Sequence, residues 1–268
     1  MPKKKERKQS IPPEQKAKWE STKLRELVEA YYDIQDVRMQ TSNRVQNRAS
    51  KEILEPKTAN EISDLLAATL KPLESNLQTR IMKEVKNHVA WEGFLSKVYG
   101  IGPCLAGGII SWIGDVKRFE TVSKLWRYFG LAVINGKSER LKAGEKIHYN
   151  PKCKILAWKV GQSFVKVGKA YRGLYDNKVA FYKAKGGCGG EHEREGEEGK
   201  RVKKPCVETG HIHNMAIRAV VKIFLQHVWC SWREIEGLPV TEPYPIAKLG
   251  HTTYYRWQDF LEKEKTTK

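Results

Sequence analysis

The chain has 268 residues, with 49 Lys+Arg against 31 Asp+Glu and a net charge of +18. Such a surplus gives a strongly positive surface and points to a polyanionic partner, with nucleic acid favoured and a membrane surface as the competing class. No apolar run approaches the ~20 residues that span a bilayer, and the N-terminus lacks a secretory apolar segment. The expectation is a soluble, cytoplasmic, nucleoid-associated prokaryotic protein. Hydrophobic residues make up 40%, with 8 Trp and 11 Tyr, enough for a substantial core in one or two domains. Five cysteines, an odd number, argue against a disulfide framework.

Residues 1–11 read as a disordered basic tail. Pro12-Pro13 opens a helical pattern that runs to about Ser50, with Leu24, Leu27, Tyr31 and Ile34 at the spacing of a coiled-coil seam. The seam then weakens, because Arg38 and Thr41 occupy the next core positions before Val45. Lys51 to Lys57 contains Pro56 and ends the helix. A second pattern follows from about Thr58 through Ile62, Leu66, Leu70, Leu73, Leu77, Ile81 and Val85, and Pro72 should bend or split it. Residues 12–90 are thus expected to form an antiparallel helical arm. At 1.5 Å per residue a ~35-residue helix reaches roughly 50 Å. The arm either projects and self-associates or folds back on its own domain.

Residues 91–184 read as one compact helical unit. Trp91, Phe94, Leu95 and Val98 predict an amphipathic helix ending at Gly100. Gly100-Ile101-Gly102 allows a tight turn, and Pro103 suits the first position of the next helix. Leu105, Ala106, Ile109, Ile110 and Ile113 give that helix a buried face. The pattern is that of a helix-hairpin-helix, whose free amides at Gly100, Ile101, Gly102 and Cys104 suit an anionic oxygen. A plain helical corner is the alternative. Thr121 to Gly130 predicts a short helix, Leu131 to Tyr149 a loop or short hairpin, and Asn150-Pro151 the start of another helix.

Residues 185–210 are poor in apolar side chains and read as a flexible loop. A strong helix is expected from His213 to Glu236, followed by an extended Pro-rich tail that packs on the same domain within residues 211–268. The fold class is therefore mainly α, a long antiparallel arm plus a compact helical domain, with no parallel α/β sheet.

Two sets of side chains carry possible chemistry. Cys188, His192, Cys206 and His211, with His213 beside them, form Cys-x3-His and Cys-x4-His pairs around the loop. They suit tetrahedral zinc, although the spacing is not that of a standard finger; a reduced, metal-free loop is the alternative. Lys152, Lys159 and Lys166 recur every seven residues and share one helix face. With Lys137, Arg140, Lys142 and Lys146 they either extend a phosphate-contacting stripe or form a solvated face. Arg118, Lys124 and Arg127 lie closer to the hairpin in sequence.

The run Val98-Tyr-Gly-Ile-Gly-Pro, then Ile113-Gly-Asp-Val-x-Arg-Phe119, then Leu125-x-x-Tyr-x-Gly-Leu131 resembles the C-terminal transposase domain of the Piv/MooV-type DEDD transposases, recombinases guided by a bridge RNA. The similarity extends over about Arg25 to Trp232, and the closing Glu236-Gly-Leu-Pro-Val-Thr-Glu-Pro-Tyr resembles stand-alone archaeal members. The resemblance implies a preceding RuvC-like domain whose four carboxylates hold metal ions. No set of acids here suits that sheet-borne site, so a complete nuclease is not expected from this sequence. The resemblance also implies a serine nucleophile just past the Gly-Leu pair, and Ser138 falls there. Glu139 replaces the usual following glycine, and Ala132-Val133 the usual Ala-Pro. The serine is either that nucleophile or a loop serine among phosphate-contacting cations. The leading expectation is a transposase-family DNA-binding protein that is not catalytic alone. The alternatives are a strand-transfer subunit working with a separate metal-holding partner and a structured-RNA-binding adaptor.

Overall fold

The computed structural model describes residues 13–134, 137–141, 143–144, 146–195, 201–208, 210–242 and 254–266. The expected basic tail, residues 1–11, and Lys142 lie outside the described residues. Helices dominate, and no parallel sheet forms among the described residues.

The arm consists of α1 (Pro13–Ser50) and α2 (Pro56–Val85). Lys23 pairs with Glu84, Arg38 with Glu74, Ser42 with Ser63 and Gln46 with Asn60, so residue numbers rise on one helix as they fall on the other. That is antiparallel packing. Leu24, Val28 and Val45 on α1 and Ala59, Ile81 and Val85 on α2 are buried. Pro72 sits inside α2 without splitting it, so of the two outcomes expected from sequence the split does not occur. Its position is exposed, so water can satisfy the one carbonyl that loses a helical partner.

The base of the arm continues into the compact part. Here α4 (Pro103–Ile113) lies across both arm helices. A Cβ at Gly107 would lie 2.9 Å from Ile81 Cγ2 and 3.1 Å from Val28 Cγ2, so this glycine lets α4 approach the arm closely. The helix expected over Trp91–Gly100 is instead a short α3 (Val89–Gly93) followed by a 3-10 turn at Leu95–Lys97. The break falls at Phe94, with φ −140° and ψ −59°. Phe94 and Leu95, on either side of the break, are both buried.

Further along, α5 (Val122–Tyr128) leads into a two-residue-per-strand hairpin, β1 (Val133–Ile134) and β2 (Lys137–Ser138). Next comes α6 (Pro151–Val167), capped by Asn150, whose side chain accepts from the amides of Lys152 and Cys153. Gly168, at φ 86°, separates α6 from α7 (Lys169–Ala184). Residues 185–210, expected to be a loop, contain an antiparallel hairpin of β3 (Glu191–Glu195) and β4 (Arg201–Pro205). Its register sets Glu193 opposite Lys203, an opposite-charge pair that supports a hairpin with little apolar content.

At the centre of the core is α8 (His211–Ile235). Trp229 and Trp232 are fully buried, and the Trp229 indole donates to the Phe119 carbonyl at 2.6 Å. A final helix that the sequence reading lacked, α9 (Trp257–Thr266), places Phe260 against Tyr171 and His227.

Candidate nucleic-acid interface and metal centre

At the turn before α4, Gly100 adopts φ 91°, and a Cβ there would stand 2.6 Å from Val167 Cγ2. Its carbonyl accepts the Ser163 hydroxyl at 2.6 Å. Gly100 thus serves the packing of the turn on α6. Ile101 is buried. Gly102 differs: it is exposed, has open space where a Cβ would project, and caps α4 with no side-chain cap. Pro103 follows at the first helical position, leaving the first-turn amides of Cys104 and Leu105 without intrahelical acceptors. The Cys104 thiol is held against Tyr31, and burial pushes it up to about 11, so it belongs to the core.

Glu264 of α9 comes to rest beside the amides of Tyr99 and Ala170, and burial pushes its carboxyl up to about 7. One edge of the turn therefore faces a carboxyl group of the protein itself, while the Gly102 edge stays open. No sequence signal linked Glu264 to the turn.

The structure separates the cations that sequence proximity had grouped. Arg118 donates to the Ile113 carbonyl at 3.0 Å and lies 5.4 Å from the Phe119 ring centroid, at the C-terminal end of α4. The 11 residues of α4, roughly 16 Å, stand between it and the Gly100–Gly102 turn. Lys124 pairs with Glu120. Arg127 is exposed and electrostatically close to Glu139. Lys152 binds Glu29, and Lys159 stands 3.4 Å from the Tyr32 ring centroid, so both tie α6 to α1. Burial pulls the Lys159 pKa down, with Asp36 and Asp33 partly opposing it.

Ser138 ends β2 opposite Val133, in the strand begun by Lys137. The following Glu139 accepts from the His148 amide at 3.0 Å and meets its Nδ1 at 2.9 Å, while Lys154 Nζ donates to the Glu139 carbonyl at 2.6 Å. This hydrogen bonding lowers the Glu139 carboxyl, with Arg127 adding a smaller pull. Arg140 then reaches the neighbourhood of His211 and Arg218.

The four predicted ligands converge. One ligand atom from each of Cys188, His192, Cys206 and His211 lies within 4.8 Å of the others, the one such group among the described residues able to hold a metal ion. They come from the turn after α7, from β3, from the start of the 3-10 turn after β4 and from the first residue of α8. Gly186, Gly187 and Gly189 have φ between 69° and 75°, which wraps the turn around Cys206. A Cβ on Gly187 would lie 2.4 Å from Cys206 Sγ, so only glycine fits. The Cys188 amide points at Cys206 Sγ over 3.4 Å, and the Cys188 sulfur is 3.1 Å from His192 Nε2. Two sulfurs and two imidazoles in a closed cluster match a four-coordinate site for a borderline-soft divalent ion. His213 lies apart from it, 2.7 Å from the Tyr175 hydroxyl and 3.0 Å from Gln162.

Among the described residues no helix is long and apolar enough to cross a membrane. Comparison with curated proteins and with solved structures finds no match. Residues 93–171, less than a third of the chain but spanning the Gly100–Gly102 turn, α4, α5, the Ser138 strand and α6, match the family described as Transposase IS116/IS110/IS902. That similarity supports a place in a transposase family and a role in DNA transposition or recombination.

Proposed function

We propose that the protein binds the phosphate backbone of duplex DNA as a component of a transposition or recombination system of the bridge-RNA-guided kind. The open start of α4 at Gly102, inside the segment similar to transposases, carries this reading. Amides without intrahelical acceptors and the positive end of the helix dipole suit a phosphodiester oxygen. The net charge of +18 supplies long-range attraction. Backbone contacts position a duplex without reading its sequence.

The test is Gly102→Glu. Space is open there and φ is −84°, so the fold tolerates the side chain while a carboxylate meets the incoming phosphate. Duplex affinity, read by fluorescence anisotropy, should fall about tenfold, roughly 1.4 kcal/mol, with an unchanged melting temperature. Unchanged affinity would reject the hairpin as the contact. A Gly100 substitution is a poor probe, because it strains a left-handed residue and collides with Val167.

The ion of the Cys/His cluster is proposed to be zinc in a structural role, since all four ligands come from the protein and leave no open position. Self-association through the arm is the proposed assembly. Val37, Leu65 and Leu73 leave apolar surface exposed along it.

A further inference from the structure

Helix α8 begins with a metal ligand, His211. At 3.6 residues per turn, positions 218 and 222 return to the face of 211, opposite the buried Ala216, Val220 and Phe224. Those positions are Arg218 and Lys222, both half-buried. The Lys222 carbonyl accepts the Trp126 indole N–H at 2.8 Å, and Lys222 Nζ lies 5.3 Å from that ring's centroid. Arg218 is electrostatically close to Tyr182 of α7 and to Arg140, and Arg140 is also close to His211.

Arg140, from beyond β2, and two cations of α8 are thus neighbours in succession along the helix face that starts at His211, with Tyr182 near Arg218 and Trp126 beside Lys222. Partly buried like charges raise the free energy of the fold unless an anion joins them. Burial pushes Lys222 down to about 8, with Arg218 adding to the effect. The charged neighbour acting on Lys222 is another cation, and those acting on Arg218 are Arg140 and the Tyr182 phenol. Two half-buried cations four residues apart on one helix face, with the exposed Arg140 nearby, suit an anionic oxygen.

We propose that Arg140, Arg218 and Lys222 form a cleft that binds adjacent backbone phosphates of a polynucleotide, and that the metal clasp on His211 holds the cationic face of α8 in place. The cleft is separate from the Gly102 contact and lies two residues beyond Ser138. It rests on the polynucleotide-binding reading, deepens it, and gives the metal a role in binding.

The test compares the zinc-loaded wild type, Arg218→Met/Lys222→Met and Cys188→Ser, using a labelled duplex at several salt concentrations. In the double variant, affinity should fall at least tenfold and the slope of log affinity against log salt should shrink by about two, because each phosphate contact contributes about 0.9. Zinc content and melting temperature should stay unchanged. If the double variant does not fold, Arg218→Met alone decides, with an expected slope loss of about one. Cys188→Ser should lose zinc and reproduce part of the affinity loss. Unchanged affinity and slope in the arginine–lysine variants would overturn the cleft. Zinc loss with unaltered binding in Cys188→Ser would overturn the clasp.

A wild type that binds no duplex while pyrophosphate raises its melting temperature, and not that of the double variant, would reject the polynucleotide reading and keep the phosphate site. Neither response would reject both.

Discussion

Single side chains make the core sensitive to acid. His227 lies between the Tyr171 hydroxyl, 2.7 Å from Nδ1, and the Tyr255 carbonyl, 2.9 Å from Nε2. Since the carbonyl can only accept, Nε2 carries the proton and Nδ1 accepts from the tyrosine. A second proton would break that arrangement, and burial accordingly lowers His227 to about 4. His88 is lowered by burial to about 4 as well; its Nδ1 accepts from the Ala90 amide and its ring meets Trp232 edge-on. Both folded-state values lie below the ordinary imidazole value, so the unfolded chain binds more protons as pH falls from about 6.5 to 4. Stability should be intact above that window and decline through it, by on the order of 1–3 kcal/mol per histidine. Denaturant titrations at pH 7 and pH 4.5 check this. His227→Gln, which cannot charge, should flatten part of the decline, and equal slopes in the two proteins would contradict the assignment.

At the scale of elements, close helix packing depends on particular glycines and one ion pair. A Cβ at Gly161 would approach Ile217 Cγ2 to 2.4 Å, so Ile217 and Val221 of α8 pack directly on the α6 backbone. Gly161→Val should cost about 1–3 kcal/mol by overpacking, seen as a lower denaturation midpoint. In the arm, Arg38 holds Glu74 through two hydrogen bonds of 2.6 and 3.0 Å, and Glu74 is only 8% exposed. Arg38→Met should cost about 2 kcal/mol by leaving a carboxylate with little access to water, and the Arg38→Met/Glu74→Leu pair should recover most of it. Recovery failing in the double variant would mean that the ion pair is not the source.

The long helices and their approximate ends were legible in the sequence because their apolar residues repeat at helical spacing and Pro12, Pro13 and Pro56 punctuate them. The break at Phe94 was not legible, since the apolar spacing of Trp91, Phe94, Leu95 and Val98 is equally that of an unbroken helix. Nor was the β3–β4 hairpin, whose strands carry cross-paired charges instead of alternating apolar residues. The Cys/His set could be named from spacing, but its convergence depends on the glycine turn around Cys206. The separation of Arg118 from Gly102 required knowing which end of α4 each occupies.

For the molecule as a whole, the two proposed contact regions make metal, charge and polynucleotide binding one linked problem. If zinc closes the turn after α7 onto α8, a strong chelator should lower the melting temperature and release about one zinc per chain. A melting temperature indifferent to chelator, with no zinc in the purified protein, would remove the metal from the account.

The most direct measurement is the affinity of the unmodified protein for two duplexes of unrelated sequence across 50–300 mM salt. The account predicts similar affinities for both and a log–log slope of about −4 or steeper, from several neutralised phosphates. Binding indifferent to salt, or confined to one sequence, would contradict backbone recognition.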